Sequence, residues 1–160
     1  MKLITVFLLS LILAVAVSAS AADMSGFRGF LWGADVESMR EEDSKLVEGR
    51  MGVMPGVKAF QRSEEDLGYG GIKADSITYT YYKEKFTGVV IDFHGFDNYE
   101  KLLIHCKKMF GPVTGAAVLR LEQYTSFDTK NTGVMLLYQL SQQSGNFGKL
   151  YLYSKEFLNK

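Results

Sequence analysis

Residues 75–94 read DSITYTYYKEKFTGVVIDFH, and this stretch decides the fold. Apolar and polar side chains alternate along both of its arms, and a period of two is typical of β-strands. The apolar set consists of Ile77, Tyr79, Tyr81, Val89, Ile91 and Phe93. The residues between the arms, Lys83, Glu84 and Lys85, form the predicted turn. The sequence therefore predicts an antiparallel hairpin with one face in a hydrophobic core.

Residues 97–110 change to a helical period. The apolar positions are spaced for one helix face, and they are Tyr99, Leu102, Leu103, Cys106 and Phe110. Asp97 and Glu100 have the spacing of a capping box at the start of the helix. Gly111 and Pro112 end it, because glycine tolerates the left-handed conformation and proline cannot continue a helix.

The remaining pattern indicates an α+β fold. A short helix follows Asp35, and strands are expected at 45–48, 57–62, 122–128, 134–141 and 149–154. We expect one mainly antiparallel sheet of about five to seven strands, with one long and one short helix. A helix followed by strands occurs before and after Asp97, so one interpretation is a duplicated α-β-β-β unit.

Residues 1–22 resemble a secretory leader. Lys2 is the only charged residue before Asp23, residues 3–17 are almost wholly apolar, and residues 19–22 are small. The apolar run is short for a membrane span, and no cysteine follows it to carry a lipid. We therefore expect a cleaved signal peptide at 1–22, a single globular domain at 23–160 without a stable membrane anchor, and a periplasmic or secreted location.

Composition excludes some partners and some chemistry. The whole chain has 18 basic and 18 acidic residues, without the clustered basic side chains that nucleic-acid binding requires. Cys106 is the only cysteine, so no intramolecular disulfide forms. It lies in the centre of the helical apolar stripe with His105 on the flank, which favours a buried structural thiol over a nucleophile.

An aromatic cluster follows the leader. Phe27, Phe30 and Trp32 lie within six residues. They either anchor the N-terminal segment in the core or form an exposed patch for a partner. The anchor is the favoured interpretation, because large aromatic side chains are usually buried.

The polar face of the predicted hairpin provides the candidate site. Tyr82, Asp92 and His94 lie on it together with Thr78 and Thr80, and side chains of this kind suit the binding of a polar partner. Asp92 and His94 are two residues apart on one strand, so they share a face, and a metal-binding interpretation would make them half of the ligand set. A solvated surface remains the simpler explanation for the pair.

The order of the motifs resembles small exported bacterial proteins of unknown function. The matching segments are residues 30–33 (FLWG), 77–82, 89–95, 108–112 and 150–154 (LYLYS). This resemblance spans most of residues 23–160 and implies a bacterial periplasmic location. Its motifs are structural, so it implies no catalytic residue.

We expect a non-catalytic binding or interaction module of the cell envelope, without cofactor or metal. Its partner would be an unknown envelope protein or a small ligand. The alternative is a small envelope hydrolase or metal-dependent enzyme that uses His94 and Asp92. No nucleophile elbow, zinc motif or phosphate-binding glycine loop appears in the sequence.

Overall fold

The computed structural model describes residues 23–42, 46–49, 56–141 and 145–158. The predicted leader lies outside these residues. The strands are β1 (Gly26–Phe27), β2 (Phe30–Leu31), β3 (Leu46–Gly49), β4 (Val57–Arg62), β5 (Gly68–Tyr69), β6 (Ile72–Lys73), β7 (Ser76–Tyr82), β8 (Lys85–His94), β9 (Gly115–Leu119), β10 (Glu122–Asp128), β11 (Thr132–Gln139) and β12 (Phe147–Ser154). The helices are α1 (Val36–Glu42), α2 (Phe96–Phe110) and α3 (Lys155–Leu158).

The predicted hairpin is β7 paired with β8. Its turn is one residue shorter than expected, because Lys85 already pairs with Tyr82. Lys83 and Glu84 make the turn with φ of 49° and 63°, the left-handed values that a two-residue hairpin turn requires. A register shift between Thr80 and Tyr81 marks a β-bulge.

The predicted long helix is present as α2, but its N-terminal cap differs from the prediction. Gly95, with φ of 85°, occupies the N-cap position, and no side chain caps the helix, so the predicted Asp97–Glu100 capping box is wrong. The positive φ turns the chain directly from β8 into the helix, so the cap position falls on a glycine with no side chain to donate or accept. Gly111 ends the helix as expected, and its N–H donates to the Lys107 carbonyl at 3.1 Å.

One antiparallel sheet of eight strands dominates the α+β fold. Its order is β3-β4-β7-β8-β12-β11-β10-β9, so β8 and β12 pair in the centre. The sheet exceeds the predicted number of strands because Gly115–Leu119, with the sequence GAAVL, forms β9 without an alternating pattern. Two short ribbons, β1-β2 and β5-β6, lie outside the sheet.

Each half of the chain has a helix followed by four strands of this sheet. β3, β4, β7 and β8 follow α1, and β9 to β12 follow α2. The β5-β6 ribbon interrupts only the first set. The last strand of each set lies at the centre, and the first strand of each set lies at an outer edge.

The hydrophobic core lies between the sheet and α1 and α2, on the side that we call the helix face. Tyr79, Phe86 and Leu102 are fully buried there. Phe27 and Phe30 pack their rings on Tyr79, and Trp32 packs on Phe86, which confirms the predicted N-terminal anchor. Within the described ranges, no helix has the length and hydropathy of a membrane-spanning segment.

Candidate functional site

The side of the sheet opposite α2 carries the predicted site residues, and we call it the open face. α1 and α2 contact the helix face through pairs such as Met39 with Tyr81 and Tyr99 with Thr125. Phe157 of α3 lies beside Gly33, beyond the end of β12. No helix in the described part of the chain therefore covers the open face.

Asp92 lies on this face near the end of β8, between two neighbouring strands. Cross-strand register places Ser76 on one side of it and Lys149 on the other. The Ser76 hydroxyl donates to Asp92 Oδ2 at 2.7 Å, and Lys149 Nζ forms an ion pair with Asp92 Oδ1. About a third of each charged side chain is exposed, 29% for Asp92 and 34% for Lys149, so the pair is held in place and still accessible.

His94 shares the face with Asp92 but has its own partners. His94 Nδ1 lies 2.5 Å from Asp75 Oδ2, and both side chains are exposed. The Asn98 side-chain amide donates to the His94 carbonyl at 2.8 Å, which joins this end of β8 to the first turn of α2. The structure thus places Asp92 and His94 on one face, where their side chains contact different partners among the described residues.

Tyr82 lies at the opposite end of β7. Ser76 is level with Asp92, so six residues of strand, or roughly 20 Å, separate Tyr82 from Asp92. Lys83 Nζ lies 5.1 Å from the centre of the Tyr82 ring. The structure therefore does not bring Tyr82 together with the other two predicted site residues.

Thr78 and Thr80 are less accessible than the sequence predicts. They are only 7% and 8% exposed. The Gln61 side-chain amide donates to the Thr78 hydroxyl at 3.1 Å. The prediction of a solvated hairpin face is wrong at these two positions, and at Thr78 the covering side chain comes from the neighbouring strand β4.

The second half of the open face contains residues that sequence reasoning missed. Its partly exposed side chains include Tyr124, Met135, Lys149, Tyr151 and Tyr153. The alternation in residues 150–153, LYLY, signals two tyrosines on one side of β12, but only the pairing of β12 with β8 places Tyr151 near Asp92 and Tyr153 opposite Gly88. Tyr153 lies across Gly133 on β11, where a β-carbon would collide with its ring.

Tyr151 and Tyr124 both have a raised pKa. Burial is the main cause that raises the pKa of Tyr151, with the charges of Asp92 and Glu122 adding to it and Lys149 opposing them. The hydrogen bond from Tyr124 to Glu122 is the main cause that raises the pKa of Tyr124. Both phenols therefore keep their protons and present an apolar ring with a polar tip.

The surroundings of Cys106 and His105 suit a structural role for both side chains. Burial raises the pKa of the Cys106 thiol to about 12, so little thiolate forms at neutral pH. Burial also lowers the pKa of His105, whose ring packs against Tyr69 with centroids 5.1 Å apart. Among the described residues, no three His, Cys, Asp or Glu side chains converge to hold a metal ion.

A shallow cavity of about 400 Å³ opens at one end of the sheet, beside Trp32 and Lys155. The indole N–H donates to the Met24 carbonyl and the Thr132 hydroxyl, at 3.1 and 3.0 Å. Lys155 pairs with Asp128 and also donates to the Thr129 carbonyl. The bond from the Trp32 indole to Thr132 joins the N-terminal segment to the sheet.

Comparisons with protein-family models, with curated proteins and with solved structures found no match.

Proposed function

We propose that the protein is an exported, non-catalytic binding module that receives a polypeptide partner of the cell envelope on its open face. The observation that carries this proposal is the composition of that face. Partly exposed Tyr151 lies next to the Asp92–Lys149 ion pair, Tyr124 and Tyr153 lie further away on the same face, and no helix of the described residues covers them. Tyrosine is enriched in protein interfaces because it combines a large apolar surface with a hydrogen-bonding tip.

The strand framework supports the proposal because it holds these side chains in place before a partner arrives. Tyr151 and Lys149 lie on β12, which pairs along its length with both β8 and β11. Binding then requires little ordering of the backbone, which reduces its entropic cost. His94 and Tyr82 lie on the same face and would contact only an extended partner.

The location and the domain organisation are part of the proposal. The leader pattern at 1–22 supports export to the periplasm or the medium. We propose that residues 23–160 act as one domain. The presence of a helix and four strands in each half supports an origin by duplication, with a repeated unit that is one strand longer than the predicted α-β-β-β unit.

Site-specific photocrosslinking in producing cells tests the binding face. A photoreactive phenylalanine replaces Tyr151 in one variant and Ile104 in the other. Ile104 is 68% exposed on α2 and serves as the matched control, because α2 packs on the other side of the sheet. We expect a discrete higher-mass adduct from position 151 that is absent from position 104.

The adduct should weaken when Lys149→Glu is added to the position 151 variant, because this change places two carboxylates side by side and removes the ion pair with Asp92. No adduct at position 151, or the same adducts from both positions, would contradict a binding role for the open face.

A further inference from the structure

Strand β9 forms one outer edge of the sheet and lacks the usual protection of an edge. Its sequence, GAAVL, contains no charge and no proline, and every residue after Gly115 is exposed. Natural sheet edges commonly carry charges or proline that prevent pairing with another strand. The opposite edge, β3, carries Glu48. β9 is therefore an unprotected edge.

The pairing of β9 with β10 determines which backbone groups face outward. Leu119 pairs with Glu122 across the two-residue turn at Arg120 and Leu121. An antiparallel ladder alternates, so Leu119, Ala117 and Gly115 direct their N–H and C=O groups toward β10. Ala116 and Val118 direct their N–H and C=O groups outward, with the spacing that pairs with another β-strand.

We propose that β9 pairs with β9 of a second copy of this chain, antiparallel and about a twofold axis at Ala117. Ala116 of each copy then lies opposite Val118 of the other copy, which makes two equivalent pairs. In these two pairs, the outward N–H and C=O groups of Ala116 and Val118 in each chain all form hydrogen bonds. Ala117 lies opposite Ala117 of the other copy. The result is a continuous sixteen-stranded sheet.

The side chains fit this register because each large residue meets a small one. Val118 lies opposite Ala116 on the helix face, and Leu119 lies opposite Gly115 on the open face. Val118 and Leu119 are among the exposed large hydrophobic side chains of the protein, at 72% and 61% exposed. The same register therefore covers apolar surface that one copy leaves in water.

This inference goes beyond the proposed function and does not depend on it. β9 adjoins β10, which carries Tyr124 on the open face opposite Ala117. In the dimer, the two open faces join across the twofold axis. A partner would then meet a surface with two copies of every group.

Disulfide trapping tests the register. In a non-hydrogen-bonded antiparallel pair the two Cα atoms lie about 4.5 Å apart, within the range that a disulfide spans. We expect Ala117→Cys, made in the full chain and purified after expression, to form a covalent dimer on mild oxidation. Cys106 does not compete, because it is fully buried.

Leu119→Cys is the matched control. Its side chain is also exposed, but its counterpart lies four residues away along the strand, at roughly 13 Å. Equal trapping at both positions, or none at position 117, would overturn the proposed register.

Mass measurement by light scattering tests the dimer without cysteine. We expect a wild-type mass that doubles as concentration rises, and the same behaviour for Ile104→Lys, which adds a charge at an equally exposed position. Val118→Lys should remain monomeric, because it buries a charge in each copy of the interface. A wild-type protein that stays monomeric, or a Val118→Lys variant that still dimerises, overturns the proposal.

Discussion

Lys83 adopts a backbone conformation that is sterically unfavourable for a residue with a β-carbon. Its φ of 49° is left-handed, a region that asparagine tolerates better than lysine. We expect Lys83→Asn to stabilise the protein by about 0.5 to 1 kcal/mol, because asparagine is preferred at this position of a two-residue hairpin turn. Urea unfolding measures the change as a higher midpoint with an unchanged slope.

Lys83→Ala is the control for this prediction. It removes the contact between the lysine and the Tyr82 ring but keeps the unfavourable backbone conformation. We expect its stability to equal or fall below that of the wild type. Equal stabilisation by alanine and asparagine would show that the turn conformation is not the cause.

Single residues also show the limit of sequence reasoning about the site. The period of two correctly placed Asp92 and His94 on one face, because side-chain direction along a strand is a local property. The partners of Asp92 are not local: Lys149 follows it by 57 residues. The burial of Thr78 depends on Gln61 in another strand, so the hairpin sequence alone did not reveal it.

Among the elements, α2 is the main cover of the core. Leu102 is fully buried, whereas Leu103, which the helical period placed in the same stripe, is only partly buried. We expect Leu102→Ala to lower the free energy of unfolding by about 2 to 5 kcal/mol, because it leaves a cavity. Leu103→Ala should lower the free energy of unfolding by clearly less than Leu102→Ala does.

Thermal or denaturant unfolding of both variants checks the difference. Ile104→Ala is the control, because Ile104 is 68% exposed and its replacement should change stability by less than about 0.5 kcal/mol. If Leu103→Ala proved more damaging than Leu102→Ala, the orientation of α2 on the sheet would be wrong.

Elements with strong local signals were predictable, and those defined by their neighbours were not. α2 and the β7-β8 hairpin have clear apolar periods that local reasoning detected. β9 consists mostly of glycine and alanine, which form a strand here because β10 supplies a hydrogen-bonding partner. Its existence depends on tertiary context rather than on intrinsic propensity.

For the whole molecule, the decisive pairing is β12 between β8 and β11. β12 also supplies Leu150 and Leu152, which are fully buried. We expect a chain that ends at Leu140 to lose cooperative thermal unfolding, because both central neighbours lose their shared strand. Circular dichroism in the near and far ultraviolet measures this loss.

A chain that ends at Ser154 is the control, since it retains β12 and lacks only α3 and the residues after it. We expect this chain to unfold cooperatively, with reduced stability. A cooperative transition in the chain ending at Leu140 would contradict the central role of β12.

The strand order could not be predicted from the sequence. The α+β class follows from the periods of the helices and strands. That β8 pairs with β12 follows only from contacts between residues more than fifty positions apart, such as Leu150 with Ile91. No local pattern encodes such a pairing.

The position of β12 has a consequence for the order of events during synthesis. A ribosome makes this strand after the other eleven, yet the sheet needs it between two of them. Until β12 is made, the edges of β8 and β11 that it covers lack this partner strand, so we expect the sheet to close late. Late closure would suit the proposed export, because a chain that has not yet folded can pass through a narrow translocation channel.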